Sequence, residues 1–573
     1  MNKILSVLLI LSFVIVITSC YGVNTDDEEK TNNNSKSKGI IDSGNNEIFV
    51  DGKYSTPITL TTVWGIPENG AVFKEGESIE NNVHTQIIKD QLGIEIKYDW
   101  VVTNTNDAYK TKLRLMLSSE EKMPDVISYR GDLETVNMLI DSGQFMSVGE
   151  LVEKYANDTY KEGLALDPGI WLPITREGEK MALPILDYAY NDDHVMWIRQ
   201  DWLDKLKIKA PTTIAELETV MEAFVNDDPD QNGVKDTIGL ATGFKNGFST
   251  WMSDIGFVFG AYGTMPSQWN LNDEGTLVNG SIDPAAKDAL ATLKSWMEKG
   301  YISEDSTLYD EINGTELFTK GEAGIMVGRN WLPEWPFPEL LTNVPGASYK
   351  AYPIPAGPDG KIGSAGGNPP VNGYLFVNKN AKHPEAIIHY YNWFFDNLAD
   401  PQPGSKFENG FAEGYDYAVL PDGSLTADAE LYPELFPGLK GQTAPVLYYT
   451  LTYEGARIPT LYADTHIKLA NGEAPESPYE KQVFNTRRKE NIDAMKIIVD
   501  QKNIRMKGYY LGPITETMQS KNELLNQLVN ETYSKIIYGQ QPIDAFDTMV
   551  GNWLISGGEE ITTEVNDWYK STQ

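Results

Sequence analysis

From Thr56 onward, strand-like runs alternate with segments of helical period, and this alternation limits the fold more than any other feature of the chain. PITLTTVW reads as a strand. NNVHTQIIKDQLGIEIKYDWV reads as a helix that ends at Gly93 and passes into a second strand, and DAYKTKLRLMLSSEEK is a polar helix leading to the short strand PDVISY. Strands joined through helices cannot close as hairpins, so the pattern predicts parallel pairing and an α/β lobe. WIRQDWLDKLKIKAPTTIAELETVMEAFVNDDPD then reads as helix, turn, helix, with Pro211, Thr212 and Thr213 as the start signal and Glu216 in the first turn. Further helices are expected in DPAAKDALATLKSWMEKGYI, NIDAMKIIVDQKNIRM and TETMQSKNELLNQLVNETYSKIIYG, with strands in EAGIMVG and GYLFVN. At 573 residues the chain is too long for one core, which implies at least two lobes.

Cys20 is the single cysteine, so no intrachain disulfide holds these lobes together. Its surroundings explain it. Lys3 supplies a positive start, Ile4 to Ile17 is apolar but short for a membrane span, and Thr18 and Ser19 are small. ITSC resembles a bacterial lipobox, in which the cysteine sulfur takes a diacylglyceryl group with palmitate-type chains. Residues 1–19 are therefore expected to be a lipoprotein signal peptide, and 20–55 the lipidated cysteine with an Asn/Ser-rich flexible tether. No later stretch is long and apolar enough to span a bilayer, which predicts a lipid anchor on the extracellular face of a bacterial cytoplasmic membrane. Lys plus Arg number 47 against 82 Asp plus Glu, a net charge of -35, which argues against nucleic acid or an anionic membrane face as partner.

The stretch NDDPDQNGVKDTIGL spaces oxygen ligands as a calcium loop does. Asp228, Asp230, Asn232, Val234 (through its carbonyl) and Asp236 fall at positions 1, 3, 5, 7 and 9, and Gly233 takes the sharp-turn position. Position 12, where a bidentate Glu belongs, is Gly239. The residues thus point to structural Ca2+ with an incomplete shell, and the alternative is an Asp/Asn/Gly surface turn.

RQDWLDKLKIKAPTTIAELETVMEAFVNDDPDQNGVKDTIGL resembles the signature segment of extracellular solute-binding lipoproteins of carbohydrate ABC importers, solute-binding family 1. MPDVI, ELFTKGEAGIMVGRNW, YPIPAGPDGK, GYLFVNKNAKHPEA and PIDAFDTMVGNWLISGGEEITTEVNDWY follow the family's order over nearly the whole mature chain. The resemblance implies an α/β, two-lobe periplasmic-binding-protein-like fold with hinge crossings and a central ligand cleft. It also implies an oligosaccharide ligand, permease subunits with a separate ATPase as partners, and a chain that acts as a monomer. By analogy the first lobe takes 56–186 and 372–508, and the second takes 187–371, with the calcium-type loop at 228–239, and 509–573. Crossings are expected near Leu183 to Trp197, Pro370 to Phe376 and Arg505 to Pro513.

Ligands of open α/β lobes lie at the carboxyl ends of strands, and sugars stack on aromatic rings while polar side chains bind their hydroxyls. Trp64 closes the first strand, and Tyr129, Arg130 and Asp132 follow PDVIS. Arg329 and Trp331 follow EAGIMVG, and the resemblance equates Trp331 with a sugar-stacking tryptophan of maltose-binding relatives. Asn368 and Asn372 flank a crossing, and Trp251 lies in GFKNGFSTWMSD. Trp202 and Trp296 fall on amphipathic helices and are assigned to packing. The five histidines form no HExxH, and neither GxSxG nor GxxxxGK[ST] occurs, so zinc, serine-hydrolase and nucleotide chemistry lack support. A secreted glycoside hydrolase, needing only two suitably spaced carboxylates, is the rival from another class. A peptide ligand or a sensory role is the rival within the same fold.

Overall fold

A computed structural model of the chain describes residues 49–67, 73–105, 107–119, 122–429, 431–439 and 445–573. The expected signal peptide and Cys20 lie outside the described residues. The folded chain begins before the expected end of the tether, because Phe49 to Tyr54 forms a small antiparallel hairpin. Tyr54, 1% exposed, donates its hydroxyl to Glu385 (3.1 Å), and Phe49 stacks on His389 at 3.8 Å. One buried and one half-buried aromatic ring order a segment that its polar neighbours alone would leave loose.

Along the chain, β1 (Ile58–Ile66) leads to α1 (Val83–Leu92), β2 (Ile94–Thr103), β3 (Val126–Tyr129), α2 (Leu133–Asp141) and β4 (Leu183–Leu186). Helix α1 starts on a reciprocal cap, the Thr85 N–H donating to Asn82 Oδ1 and the Asn82 N–H to Thr85 Oγ1, both 3.0 Å. It stops at Gly93, whose φ of 70° and close approach to the Tyr54 carbonyl leave no room for a side chain. β1 and β2 pair in parallel, as the alternation predicts.

β5 (Val195–Arg199), α3 (Ile214–Asn226), β6 (Ile238–Leu240), α4 (Ala285–Glu298), β7 (Ala323–Gly328) and β8 (Tyr349–Tyr352) build a second sheet in the order β6-β7-β5-β8. The α3 start signal is realised: Thr213 Oγ1 accepts from the Glu216 N–H (3.2 Å), and the Thr212 N–H and hydroxyl donate to the Glu216 carboxylate. β9 (Val371–Val377) then returns to the first sheet and lies between β3 and β4, antiparallel to both. That three-stranded sheet is therefore antiparallel in both its pairings, while the parallel β1–β2 pair stands as a sheet of its own. Tyr374 and Phe376 enter the core on one face, Leu375 and Val377 the core on the other, the two-residue period of a strand covered on both sides.

α5 (Ala386–Phe394) packs on the first lobe, but α6 (Pro459–Ala470), α7 (Pro478–Thr486) and α8 (Lys489–Asp500) follow a different course. Tyr462, Ala463, Met495 and Ile498 share a core with Val195, Trp197 and Met326 of the second sheet. Residues 372–508 are thus divided between the lobes, with α6 and α8 on the second. α9 (Glu516–Ile537) and α10 (Glu559–Ser571) cover the opposite face of that sheet through Leu525, Tyr533, Ile561 and Val565.

The third crossing accordingly runs between Leu451, in the first-lobe core, and Tyr462, in the second-lobe core. The Asp187 N–H donates to the Pro370 carbonyl (2.9 Å) and the Ala189 N–H to the Pro459 carbonyl (2.7 Å), so all three crossings touch. Arg505–Met506 pairs with Ser364–Ala365 beside this junction without crossing it.

Three arginines clamp the first crossing. Arg457 bonds Asp187 and, at 2.6 Å, Glu454; Arg329 bonds Asp192 at 2.6 Å; Arg505 Nε lies 2.9 Å from Asp193. Burial pushes the Asp187 carboxyl up, but the Arg457 charge and donors from Asn191 and the Tyr188 N–H reverse this, leaving it below the ordinary carboxylate range. Arg457→Ala strands that buried carboxylate and is expected to lower stability by about 3–5 kcal/mol in urea titration, while a loss under ~1 kcal/mol, the range of exposed pairs, would deny the clamp its structural role.

A second buried pair, His194 Nδ1 and Asp254 Oδ2 at 3.7 Å, lies in the second lobe. Burial pushes His194 down to about 3, helped by the Arg329 charge, and pushes Asp254 up to about 7 against backbone donors. In the unfolded chain these groups titrate near ~6.5 and ~3.9. Between those values the folded pair holds one proton on Asp254 and the unfolded pair holds one on His194, so their pH effects cancel. Relative to the parent chain, His194→Gln is expected to make stability fall as pH rises from about 4 to 7. Asp254→Asn is expected to make it rise with pH from about 3 to 6.5. Thermal melts across pH check both signs.

Candidate functional site

The residues singled out from sequence gather around the crossings, but the structure gives them unequal parts. Trp64, at the end of β1, is only 3% exposed and is covered by Tyr453, ring centres 5.2 Å apart. Tyr129 is 4% exposed and donates its hydroxyl to Asp132 Oδ2 (3.0 Å). Asp132 caps α2, accepting from the Thr135 N–H (2.8 Å), and pairs with Lys110 at 3.1 Å. Trp64 and Tyr129 thus support the first-lobe wall from behind, and the side chains open to solvent there are Arg130, Asp132 and, in part, Tyr453. The Arg130 guanidinium lies 6.0 Å from the Tyr453 ring centre.

The second-lobe wall is an aromatic stack. Trp251 lies between Trp331, at 5.7 Å and 28°, and Trp335, at 6.2 Å and 16°, and all three rings remain partly exposed. Their positions are held by polar ties: Trp331 Nε1 donates to Asn191 Oδ1 (3.1 Å) and Trp251 Nε1 to Glu311 Oε1 (3.0 Å). Arg329 lies 6.0 Å from the Trp331 ring centre while its guanidinium serves Asp192. Asn330, wholly buried, donates to Asn491 Oδ1 (2.7 Å) and the Tyr462 hydroxyl (3.1 Å), locking the strand end to α6 and α8.

Between the walls, a small hollow at the crossings is lined by Asp187, Tyr188, Asn191, Asp192, Asn368 and Arg505 among others. Asn368 is exposed there. Asn372 is 7% exposed, and its Nδ2 has no hydrogen-bond partner among the described residues. A buried amide donor left unpaired carries a cost that an incoming hydroxyl or carbonyl would relieve. Tyr188 stacks on Tyr462 at 4.4 Å and lies under the Arg457 guanidinium at 4.5 Å. Sequence reasoning missed Tyr188, Trp335, Tyr453 and Tyr462, the last two because the third crossing was placed some fifty residues too late. For Trp335 the spacing in WLPEW was the available signal, four residues after Trp331.

The loop at 228–239 follows directly on the C-terminal end of α3. Asn232 Nδ2 donates to Asp230 Oδ2 (2.8 Å) and to both Asp236 oxygens (3.1 and 3.2 Å), while the Gly233 N–H donates to Asp228 Oδ2 (3.1 Å). Burial, a hydrogen bond from Asp228 and the charges of Asp236 and Asp228 push the Asp230 carboxyl up. The amide nitrogen, the positive end of a dipole, thus takes the place among the carboxylates that a cation would take. Among the described residues, however, no group of three or more His, Cys, Asp or Glu is arranged to hold a metal ion. Gly239 cannot complete the shell, because a Cβ there would stand 2.7 Å from Met221 in the packing of β6 on α3.

No helix among the described residues is long and apolar enough to cross a membrane. The chain is 23% identical over 516 residues to the polygalacturonan/rhamnogalacturonan-binding protein YtcQ of Bacillus subtilis, covering 86% of this chain and 90% of that one. Lipoprotein LipO of the same organism is 23% identical over 493 residues, covering 84% and 87%. Among solved structures, the Streptococcus pneumoniae ABC-transporter substrate-binding protein FusA with kestose superposes with a TM-score of 0.60 at 18% identity, covering 90% of this chain and 99% of that one. An EF-hand mutant of FusA with fructo-nystose gives 0.59 at 17%, covering 90% and 100%. These two share the two-lobed fold. Residues 70–402 match the family described as bacterial extracellular solute-binding protein, more than half of the 573 residues, and the chain belongs to that family.

Proposed function

We propose that this chain is the lipid-anchored substrate-binding subunit of an ABC importer, which captures an oligosaccharide between its lobes and presents it to a membrane permease served by a separate ATPase. The observation that carries this reading is the partly exposed stack of Trp251, Trp331 and Trp335 facing the junction of the three crossings. Flat apolar rings suit the C–H faces of sugars, and the neighbouring amides and carboxylates of Asn191, Asp192 and Asn368 suit hydroxyls. The names of the relatives YtcQ and FusA, as binders of carbohydrate, support the same ligand class.

The polar ties suggest how capture reaches the hinge. Trp331 holds Asn191, and its neighbour Arg329 holds Asp192, so the aromatic wall of the second lobe is bonded to the first crossing segment. A sugar seated on Trp331 that also meets the first-lobe wall favours whichever lobe arrangement lets it touch both. A permease then distinguishes loaded from empty receptor by that difference. The anchor at Cys20 keeps the receptor near the membrane.

Asp228, Asp230, Asn232, the Val234 carbonyl and Asp236 would hold structural Ca2+ once the Asn232 amide presents its oxygen, and this is the role proposed for the 228–239 loop. The FusA EF-hand mutant supports a loop of that kind in a relative.

Three outcomes follow. In thermal-shift measurements on the full chain in detergent, an oligosaccharide at 100 times its Kd is expected to stabilise by about 2.7 kcal/mol, with the sugar recovered uncleaved. A consumed sugar would favour the hydrolase, and a response to peptides alone would remove the carbohydrate. Trp331→Ala is expected to weaken sugar binding about tenfold, near 1.4 kcal/mol, with the free protein still folded and melting in one cooperative transition. For the loop, chelation is expected to lower the melting temperature, and Asp230→Ala to abolish that sensitivity; a calcium-free protein indifferent to chelator would leave a plain turn.

A further inference from the structure

The three rings of the second-lobe wall are not held alike. Trp331 and Trp251 are each fixed by their own Nε1–H, on Asn191 and Glu311. Trp335 has no hydrogen bond from its ring among the described residues, so its place rests on packing against Trp251 and on the backbone of the turn at 330–337. That turn closes through the Glu334 N–H, which donates to the Trp331 carbonyl (2.9 Å), and it is tied to the rest of the lobe at two points. At the first, Asn330 Nδ2 donates to Asn491 Oδ1 (2.7 Å). At the second, Glu334 Oε1 accepts from Asn491 Nδ2 (3.1 Å) and from the Arg488 N–H (2.8 Å). One wholly buried amide, that of Asn491, thus holds residues on both sides of Trp331. Helix α8 begins at Lys489 with no side-chain cap of its own, and the Glu334 carboxylate, 154 positions away, takes the N–H that a capping-box residue would take locally. A negative charge at that end of a helix is favourable as well.

Resting on the oligosaccharide reading above, we propose that Glu334 is a positioning residue for sugar recognition, which docks the tryptophan turn on the start of α8 and so fixes the ring of Trp335 beside Trp251. Glu334 acts through that ring, because its Oε1 is already occupied by two donors on the α8 side. Without it, the buried Asn491 amide and the first N–H of the helix both lose their acceptor, and the turn loses one of its two anchors. A ring that is in place before the ligand arrives leaves less to be ordered on binding, which raises affinity. Both donors are neutral N–H groups, so the role needs an acceptor oxygen at that point rather than a negative charge. An amide oxygen on a side chain of the same length serves it equally.

The test is calorimetric titration of the full chain in detergent with trigalacturonate and with kestose, the sugar that binds the parent chain being carried through Glu334→Ala, Glu334→Gln, Trp335→Ala and the Glu334→Ala/Trp335→Ala double variant. Glu334→Ala is expected to weaken binding about 3- to 10-fold. Glu334→Gln, which keeps the acceptor oxygen, is expected to stay within about twofold of the parent. Once the Trp335 ring is gone Glu334 has less to position, so the loss in the double variant is expected to fall short of the product of the two single losses by more than about twofold, the limit for independent sites. Should Glu334→Ala not fold, Glu334→Asp, whose shorter side chain withdraws the oxygen, takes its place in the cycle. The inference is overturned if the two losses simply multiply, which would mark a separate contact or a purely structural residue, or if Glu334→Gln loses as much as Glu334→Ala. In both cases the sugar reading stands. A parent chain that binds neither sugar overturns that reading and this inference together.

Discussion

The architecture turns on the buried contact between Asp187 and Arg457. Asp187 begins the first crossing and Arg457 lies on the third, so one ion pair joins two of the chain segments that connect the lobes. The Asp187 backbone N–H reaches the second crossing at Pro370, which brings all three to one point. Burying two charges is costly unless each is fully engaged, and here Glu454, Asn191 and the face of Tyr188 complete the arrangement. Such a junction fixes where the lobes meet.

What surrounds the junction follows from that geometry. The first sheet receives its central strand β9 through the second crossing, and the second sheet receives β5 through the first, so the strand ends at Tyr129 and Gly328 both lie near the point of transfer. The tryptophan stack sits directly after Gly328. Its N–H groups are spent on Asn191 and Glu311, which holds the rings in place without covering their faces. Charge is treated in the same economical way: Asp187, Asp192 and Asp193 of the first crossing each meet one arginine.

Much of this was legible in the residues. The start of α3 could be read from Thr212, Thr213 and Glu216, since a cap is a local hydrogen-bond problem solved within one turn. The stop at Gly93 is of the same kind. The parallel pairing of β1 and β2 could be read from the helix between them. By contrast, Trp64 and Tyr129 sit where strand ends predict a ligand, yet Tyr453 and Asp132 cover them, and both partners arrive by tertiary packing. Trp331 was found for the right reason, its place after β7, but its partners Trp251 and Trp335 come together only when the loop at 243–254 folds against that strand end.

The sequence by itself determined the elements, the α/β class, the family and the spacing of the calcium-type loop, because each rests on periodicity or on contacts between near neighbours along the chain. The tertiary structure alone decided which lobe received α6 and α8, where the third crossing runs, and which arginine meets which aspartate of the first crossing. Those outcomes depend on pairs such as Arg457 with Asp187, separated by 270 positions, and Trp331 with Asn191, separated by 140. No local pattern encodes such pairs. They exist because closing two cores around three crossings leaves each buried charge and ring only a few partners within reach.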